Sequence, residues 1–184
     1  RKRLDAEAWT ATPNPGHLAL VELERQEKLH TLITQNIDGL HQAAGSDPDR
    51  VVEVHGTIRE VACLNCAERA PMGRALERVR AGEEDPECGT CGGMLKSATI
   101  SFGQSLVAAD LGRAERAARE CDLMLAIGST LSVYPVCDVV PIAARLGADV
   151  VIVNADPTQF DHLAAAVVRG SISDVLPRII GPGT

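Results

Sequence analysis

Two short-spaced cysteine pairs, Cys63-Leu-Asn-Cys66 and Cys88-Gly-Thr-Cys91, constrain the fold of this chain more than any other feature. Each pair leaves two residues between thiolates, so one backbone turn aims both sulfurs at a single ion. Together the pairs fill a tetrahedral Zn²⁺ shell. The 21 residues between Cys66 and Cys88 slightly exceed the usual gap of about 15–20, an excess that a loop absorbs. Four protein ligands leave no open coordination position, so this metal is expected to hold structure and do no chemistry. Disulfides or unrelated core thiols are the alternatives, and the paired spacing weighs against both. The chemistry must lie elsewhere.

A chain of 184 residues buries one sizeable core and leaves room for a small metal-held module. Aromatics are only 2% of it, so that core is built mainly from Val, Leu, Ile and Ala. The net charge of −7 argues against a general nucleic-acid binder, which carries a basic face. The basic groupings are Arg1-Lys2-Arg3 and Arg74, Arg78 and Arg80, read as solvated surface. No apolar run approaches the roughly 18–20 residues of a membrane span, and nothing resembles a secretion signal. Six cysteines, four of them assigned to metal, fit a reducing cytoplasm.

Three short apolar runs read as parallel strands covered on both faces: Leu29 to Thr34, Leu123 to Ile127 and Val150 to Val153. Helical stretches are expected at Gly16 to Glu27, Leu111 to Glu120, Pro135 to Leu146 with a bend at Pro141, and Thr158 to Val168. This alternation predicts an α/β fold, a Rossmann-like doubly wound parallel sheet. From Ala62 to Lys96 the alternation lapses into glycine-rich knuckles and the polar linker Gly82-Glu83-Glu84-Asp85-Pro86. Residues 62–96 are therefore expected to form an inserted zinc-ribbon module, with 1–61 and 97–184 making the α/β domain.

Ligands of open parallel sheets bind beyond the carboxyl ends of the strands. Past the first strand lie Gln35-Asn36-Ile37-Asp38-Gly39, past the second Gly128-Ser129-Thr130, and past the third Asn154 and Asp156. Ordinary turns also use such residues, but three polar strand ends together favour a nucleotide-sized ligand. Val51 to Val54 reads as a further strand segment that ends in His55-Gly56 at the entry to the metal module. An imidazole there titrates near neutral pH and can take a proton from a hydroxyl. His17 and His41 are read as packing or capping residues, and Trp9 as core or domain-interface packing.

The ordered motifs Pro13-Asn14-Pro15-Gly16-His17, Thr34-Gln35-Asn36-Ile37-Asp38-Gly39-Leu40-His41, Glu53-Val54-His55-Gly56, the cysteine pairs, Phe102-Gly103-Gln104, Gly128-Ser129-Thr130-Leu131, Val133-Tyr134-Pro135 and Asn154-Ala155-Asp156-Pro157 resemble the sirtuin family through nearly the whole chain. Sirtuins are NAD-dependent protein-lysine deacylases with a Rossmann-like large domain and a small zinc-bearing domain. The resemblance implies that an acyl-lysine oxygen attacks C1′ of the nicotinamide ribose, that nicotinamide leaves, and that His55 serves as general base on the ribose hydroxyls. It makes His55 and Asn36 catalytic. It assigns Gln35, Asn36, Asp38, Gly128, Ser129, Thr130, Asn154, Ala155, Asp156 and Ile172 to the NAD site, with Asp38 accepting from the carboxamide. It assigns Ile100, Ser101, Phe102, Gly103, Ser132, Val133 and Tyr134 to an acyl-lysine protein substrate that adds as a strand. Zn²⁺ on Cys63, Cys66, Cys88 and Cys91 is structural.

The family's glycine-rich phosphate loop, which precedes these motifs, has no counterpart after Arg1, so these residues alone are expected to bind NAD weakly or not at all. Gln104 stands where many members carry glutamate, and Ser129-Thr130 reverses a common order. Both keep their hydrogen-bonding capacity. Protein ADP-ribosyl transfer and a non-catalytic zinc-ribbon interaction module are the competing functions.

Overall fold

The computed structural model describes residues 9–101 and 103–181. Asn14 opens the first helix, α1 (Pro15–Arg25), through a reciprocal capping box with His17, and Pro15 stands at the first helical position. β1 (Leu32–Thr34) follows, then α2 (Leu40–Ala44) and β2 (Val51–Glu53). β1 and β2 pair in parallel with Leu32 opposite Val51 and Thr34 opposite Glu53.

The chain then enters an antiparallel sheet of β3 (Gly56–Cys63), β4 (Arg69–Pro71) and β5 (Leu95–Thr99), in the order β4-β3-β5. This region has more regular structure than its composition suggests, because α3 (Met72–Arg80) forms within the segment expected to lack helix. Met72 and Leu76 project four residues apart from that helix and bury against Val61 of β3. Trp9 packs on the same cluster, as expected of an interface residue. Arg78 is bonded rather than merely solvated: it forks onto the Glu83 carboxylate at 2.6 and 2.7 Å and reaches the Glu87 carbonyl.

The third sheet is parallel, β6 (Leu123–Ile127), β7 (Asp149–Val153) and β8 (Ala166–Val168), in that order. α4 (Ala108–Glu120) precedes β6, and α5 (Val139–Arg145) joins β6 to β7 after a 3-10 turn at Val136–Asp138. α4 presents Ala114, Ala117 and Ala118 to the core, and this narrow face lets it approach α5 at Ala143. No Arg–Glu ion pair forms within α4 among the described residues; Arg113 reaches across to the Asp49 carbonyl instead. The stretch expected to be helical at Thr158 to Val168 holds only a 3-10 turn at Asp161–Leu163 and then β8. β8 gains a full parallel ladder on β7 there, and that pairing outweighs the helical leaning of three successive alanines.

The core runs through Val52, Val54, Ala126, Val140, Val150 and Ile152. α1 packs on α6 (Ile172–Ile180) around Ala19, Val153 and Leu176. Ile127 touches both this cluster and the Leu20–Leu32–Val51 cluster, so the two parallel sheets share apolar contacts through β6. β1, β6 and β7 run at their carboxyl ends into the polar segments singled out above.

Candidate functional site

Thr34, at the last position of β1, is buried and turns its hydroxyl onto the Asn36 N–H at 3.1 Å. Its carbonyl accepts from Val54 N at 3.1 Å. These bonds fix the direction in which Gln35 and Asn36 leave the sheet. Asn36 itself is exposed. Gln35 crosses to the other parallel sheet, its Nε2 donating to Ser129 Oγ at 3.4 Å.

His55 joins the same cluster. Its Nδ1 lies 3.1 Å from the Gln35 carbonyl oxygen. A carbonyl only accepts, so this bond requires the proton on Nδ1, and in the neutral ring that leaves Nε2 with its lone pair, the tautomer a general base needs. The His55 carbonyl accepts from Ile100 N at 2.8 Å. The residue thus ties the polar strand end of β1 to the segment after β5. Gly56 permits this close approach: its φ is +70°, and an added Cβ would fall 2.0 Å from the Ala98 carbonyl oxygen.

The β6 turn is shaped by Gly128, with φ +59°. The side chain of Ile172 fills the space beside it, and a Cβ on Gly128 would lie 2.3 Å from Ile172 Cδ1. Gly16 meets the same side chain, at 2.7 Å from its Cγ2. Ile172 therefore touches the strand-end turn through its side chain and wedges α6 between that turn and α1. Ser129 Oγ accepts from Leu131 N at 3.1 Å, and Thr130 Oγ1 lies 2.7 Å from Ser132 Oγ.

At the end of β7, Asn154 turns its Nδ2 back onto the Asp156 carbonyl at 2.8 Å. Arg169 bonds the carbonyls of both residues and pairs with Asp161. Asp161 is held below the ordinary aspartate range by Thr158, whose hydroxyl donates to it, with Arg169 contributing. Arg169 was not singled out from the sequence, where an isolated arginine carries no pattern. Ala155 and Asp156 are exposed beside it.

Of the substrate segments, Ser101 and Gly103 are exposed, and Phe102 lies outside the described residues. Ser101 N donates to Gln104 Oε1 at 2.8 Å, and Lys96 Nζ reaches both Gln104 Oε1 and the Thr99 carbonyl. Ser132, Val133 and Tyr134 are exposed on the loop after β6.

Behind the site, the rings of His17 and His41 stand 4.8 Å apart. Burial lowers both from the usual histidine range, His41 to about 4, while the Asp38 carboxylate opposes the shift at each. Asp38 Oδ1 accepts from Leu40 N at 2.9 Å, opening α2.

The four cysteine sulfurs lie within 4.8 Å of one another, with Cys63–Cys91 at 3.5 Å and Cys66–Cys88 at 3.7 Å. Zn–S bonds of about 2.3 Å in a tetrahedron place sulfurs about 3.8 Å apart. The donor set therefore fits Zn²⁺. The Cys66 backbone N–H, with Asn65 adding to it, holds the Cys63 thiol down at about 6. The Cys66 thiol pushes its neighbour Cys91 up to about 12. Four thiols this close ionise together only around a cation.

A cavity of about 300 Å³ lined by His30, Thr31, Asp49, Arg113, Arg116, Ala117 and Glu120 contains none of these residues. It lies by the amino ends of β1 and β2, opposite the end where parallel sheets bind ligands. Across 9–101 and 103–181, no helix is long and apolar enough to cross a membrane.

Residues 2–135 match the Sir2 family. The chain is 43% identical over 178 residues to NAD-dependent protein deacetylase 2 of Streptomyces coelicolor, covering 97% of this chain and 74% of that protein. It is 40% identical over 173 residues to NAD-dependent protein deacetylase 1 of Pyrobaculum aerophilum, covering 94% and 66%. The chain thus spans about two thirds to three quarters of the length of these curated relatives. A solved Sir2 complex with a p53 peptide and NAD+ superposes with a TM-score of 0.85 at 31% identity, over 94% of this chain and 71% of that one.

Proposed function

This chain belongs to the Sir2 family, and on that premise we propose that it serves an NAD-dependent protein-lysine deacylase activity. Such an enzyme moves the acyl group from lysine to ADP-ribose and releases nicotinamide. The observation that carries the reading is His55, whose ring bonds the Gln35 carbonyl while its own carbonyl bonds Ile100 N. One residue thereby ties the cofactor segment, through its ring, to the substrate segment, through its main chain, and the neutral ring keeps Nε2 to accept a proton.

NAD, when bound, supplies an electrophilic ribose carbon and a leaving nicotinamide. The residues do the rest. Gln35 and Ser129, already bonded to each other, offer polar groups to ribose hydroxyls, and the Gly128 turn lets backbone N–H groups approach phosphate. Thr130, Asn154, Ala155 and Asp156 line the adenosine side. Asn36 and Asp38 hold the nicotinamide end. His55 Nε2 removes a proton from a ribose hydroxyl, and the Nδ1–H bond to Gln35 keeps the ring in the tautomer that can do so. The peptide adds as a strand between 100–103 and 132–134, so backbone bonds dominate recognition and sequence selectivity is modest. In this reading residues 62–96 are the zinc-ribbon module, 1–61 and 97–184 the cofactor domain, and the protein works in the cytoplasm on acylated proteins rather than on nucleic acid.

The test is stoichiometry. With NAD and an acetyl-lysine peptide, the intact protein should release nicotinamide and free lysine side chains one for one. Nicotinamide release with ADP-ribose attached to protein, and no matching free lysine, would replace deacylation with ADP-ribosyl transfer.

A further inference from the structure

One side chain spans the two regions of the molecule at the nicotinamide end of the proposed site. Arg59 sits on β3, four residues before the metal ligand Cys63. Its Nε donates to the Asp38 carbonyl oxygen at 2.7 Å. Its aliphatic stem lies over Gly39, where an added Cβ would stand 2.9 Å from Arg59 Cγ. Gly39 has φ +69°, so this turn is both left-handed and covered. The Arg59 guanidinium carbon also lies 5.0 Å from the centroid of the Trp9 ring, within range of a cation–π contact. Trp9 in turn packs against Val61, Met72 and Leu76 of the metal-bearing sheet and its helix.

The consequence is geometric. The direction of the Asp38 carboxylate is set by the Asp38-Gly39 turn, with Oδ1 already engaged by Leu40 N. That turn is clamped from outside by a residue whose own orientation is fixed by the metal-held region. Resting on the deacylase reading above, we propose that Arg59 is a positioning residue for the nicotinamide-binding turn, a strut through which the zinc-bearing sheet sets the direction of the Asp38 carboxylate. The strut bears on the Asp38-Gly39 turn through its Nε and its stem, so its effect is read in cofactor recognition.

Arg59→Ala in the intact protein is expected to raise both the KM for NAD and the nicotinamide concentration for half-inhibition by about five- to twenty-fold, a part of what one charge-assisted hydrogen bond is worth, because the bond acts on the turn and not on the ligand. The kcat at saturating NAD and the KM for peptide should stay within about two-fold. Arg59→Lys separates positioning from support. It keeps the positive charge under Trp9 and the fold, but puts a methylene where Nε stood, so the NAD and nicotinamide effects persist while thermal stability recovers. Trp9→Ala should shift the same constants less, and non-additively with Arg59→Ala. Arg78→Ala, on an arginine equally well bonded within the metal-bearing region, should leave both constants unchanged.

Hydrogen exchange at Leu40 N–H reads the turn without any turnover and should quicken about ten-fold in Arg59→Ala. Wild-type protein that fails to deacylate while Leu40 responds overturns the deacylase reading and leaves the strut standing. An active enzyme in which Arg59→Ala moves neither the NAD constant nor Leu40 exchange, or in which kcat alone falls, overturns the strut.

Discussion

The antiparallel sheet around the cysteines packs on the small cluster of Val61, Met72 and Leu76, whereas the parallel sheets share a core through Val52, Val54, Val140, Val150 and Ile152. The first region is too small to hold itself by burial and brings four sulfurs together. The second builds a larger apolar core, and its polar groups collect at the strand ends, where His55 bonds Gln35 and Gln35 reaches across to Ser129 of the other sheet. The proposed function divides structure and chemistry between these regions, and the proposed strut puts their junction at His55-Gly56 and Arg59.

The largest expected effect breaks the comparison at the metal. Structural Zn²⁺ supplies apparent binding free energies of about 10–16 kcal/mol in zinc-finger peptides. Chelation, or Cys63→Ser, should therefore abolish amide protection across β3–β5 while β6 and β7 stay protected. Simultaneous loss in both sheets would show one cooperative unit instead of two.

The converse substitution is Ile152→Ala, at a side chain with no exposed surface. It should cost about 2–5 kcal/mol in urea unfolding and leave the zinc content at one ion per chain. Loss of zinc in that variant would mean that the metal region depends on the parallel core.

Gly56→Ala attacks the junction. The new Cβ meets the Ala98 carbonyl oxygen at 2.0 Å with φ at +70°; the left-handed backbone alone costs about 1–3 kcal/mol, and the overlap with a main-chain oxygen adds to it. Turnover should fall together with stability, because His55 cannot keep both its bonds. Unchanged turnover would detach His55 from this geometry.

The smallest effect is a pH dependence on the far side of the site. His41 is held neutral in the folded state, at about 4 against an ordinary value of 6.5. The unfolded chain binds that proton more readily, so the stability is fully present above about pH 6.5 and is lost as pH falls toward 4. Glu53, raised by burial, acts with the opposite sign. The check is the difference between wild type and His41→Gln in urea midpoint from pH 7 to pH 5. The wild type should lose more.

That the residues of the candidate site and the four cysteines come together was legible in part, because strand ends and metal spacing are local patterns. Gln35, Gly128, Ser129 and His55 stand where a polar strand end or a histidine before glycine suggests, and the structure brings them together. His17 does the capping expected of it. What escaped was set by distant partners. β8 reads as helix until β7 supplies its ladder. α3 hides in a polar segment because only one face, at Met72 and Leu76, is apolar. Arg59 meets Asp38 across 21 residues through a main-chain carbonyl, which leaves no trace in composition or spacing.

The division of labour itself is tested by exchanging the metal. Zn²⁺ in the intact protein is replaced by Co²⁺, four-thiolate binding is verified by its absorption, and deacylation is timed beside His55→Ala. The account predicts a kcat unchanged within about two-fold on exchange, and a fall on the order of 10²–10⁴ in the histidine variant. A kcat that follows the metal's identity, with His55→Ala near wild type, would move the chemistry to the cysteines and contradict it.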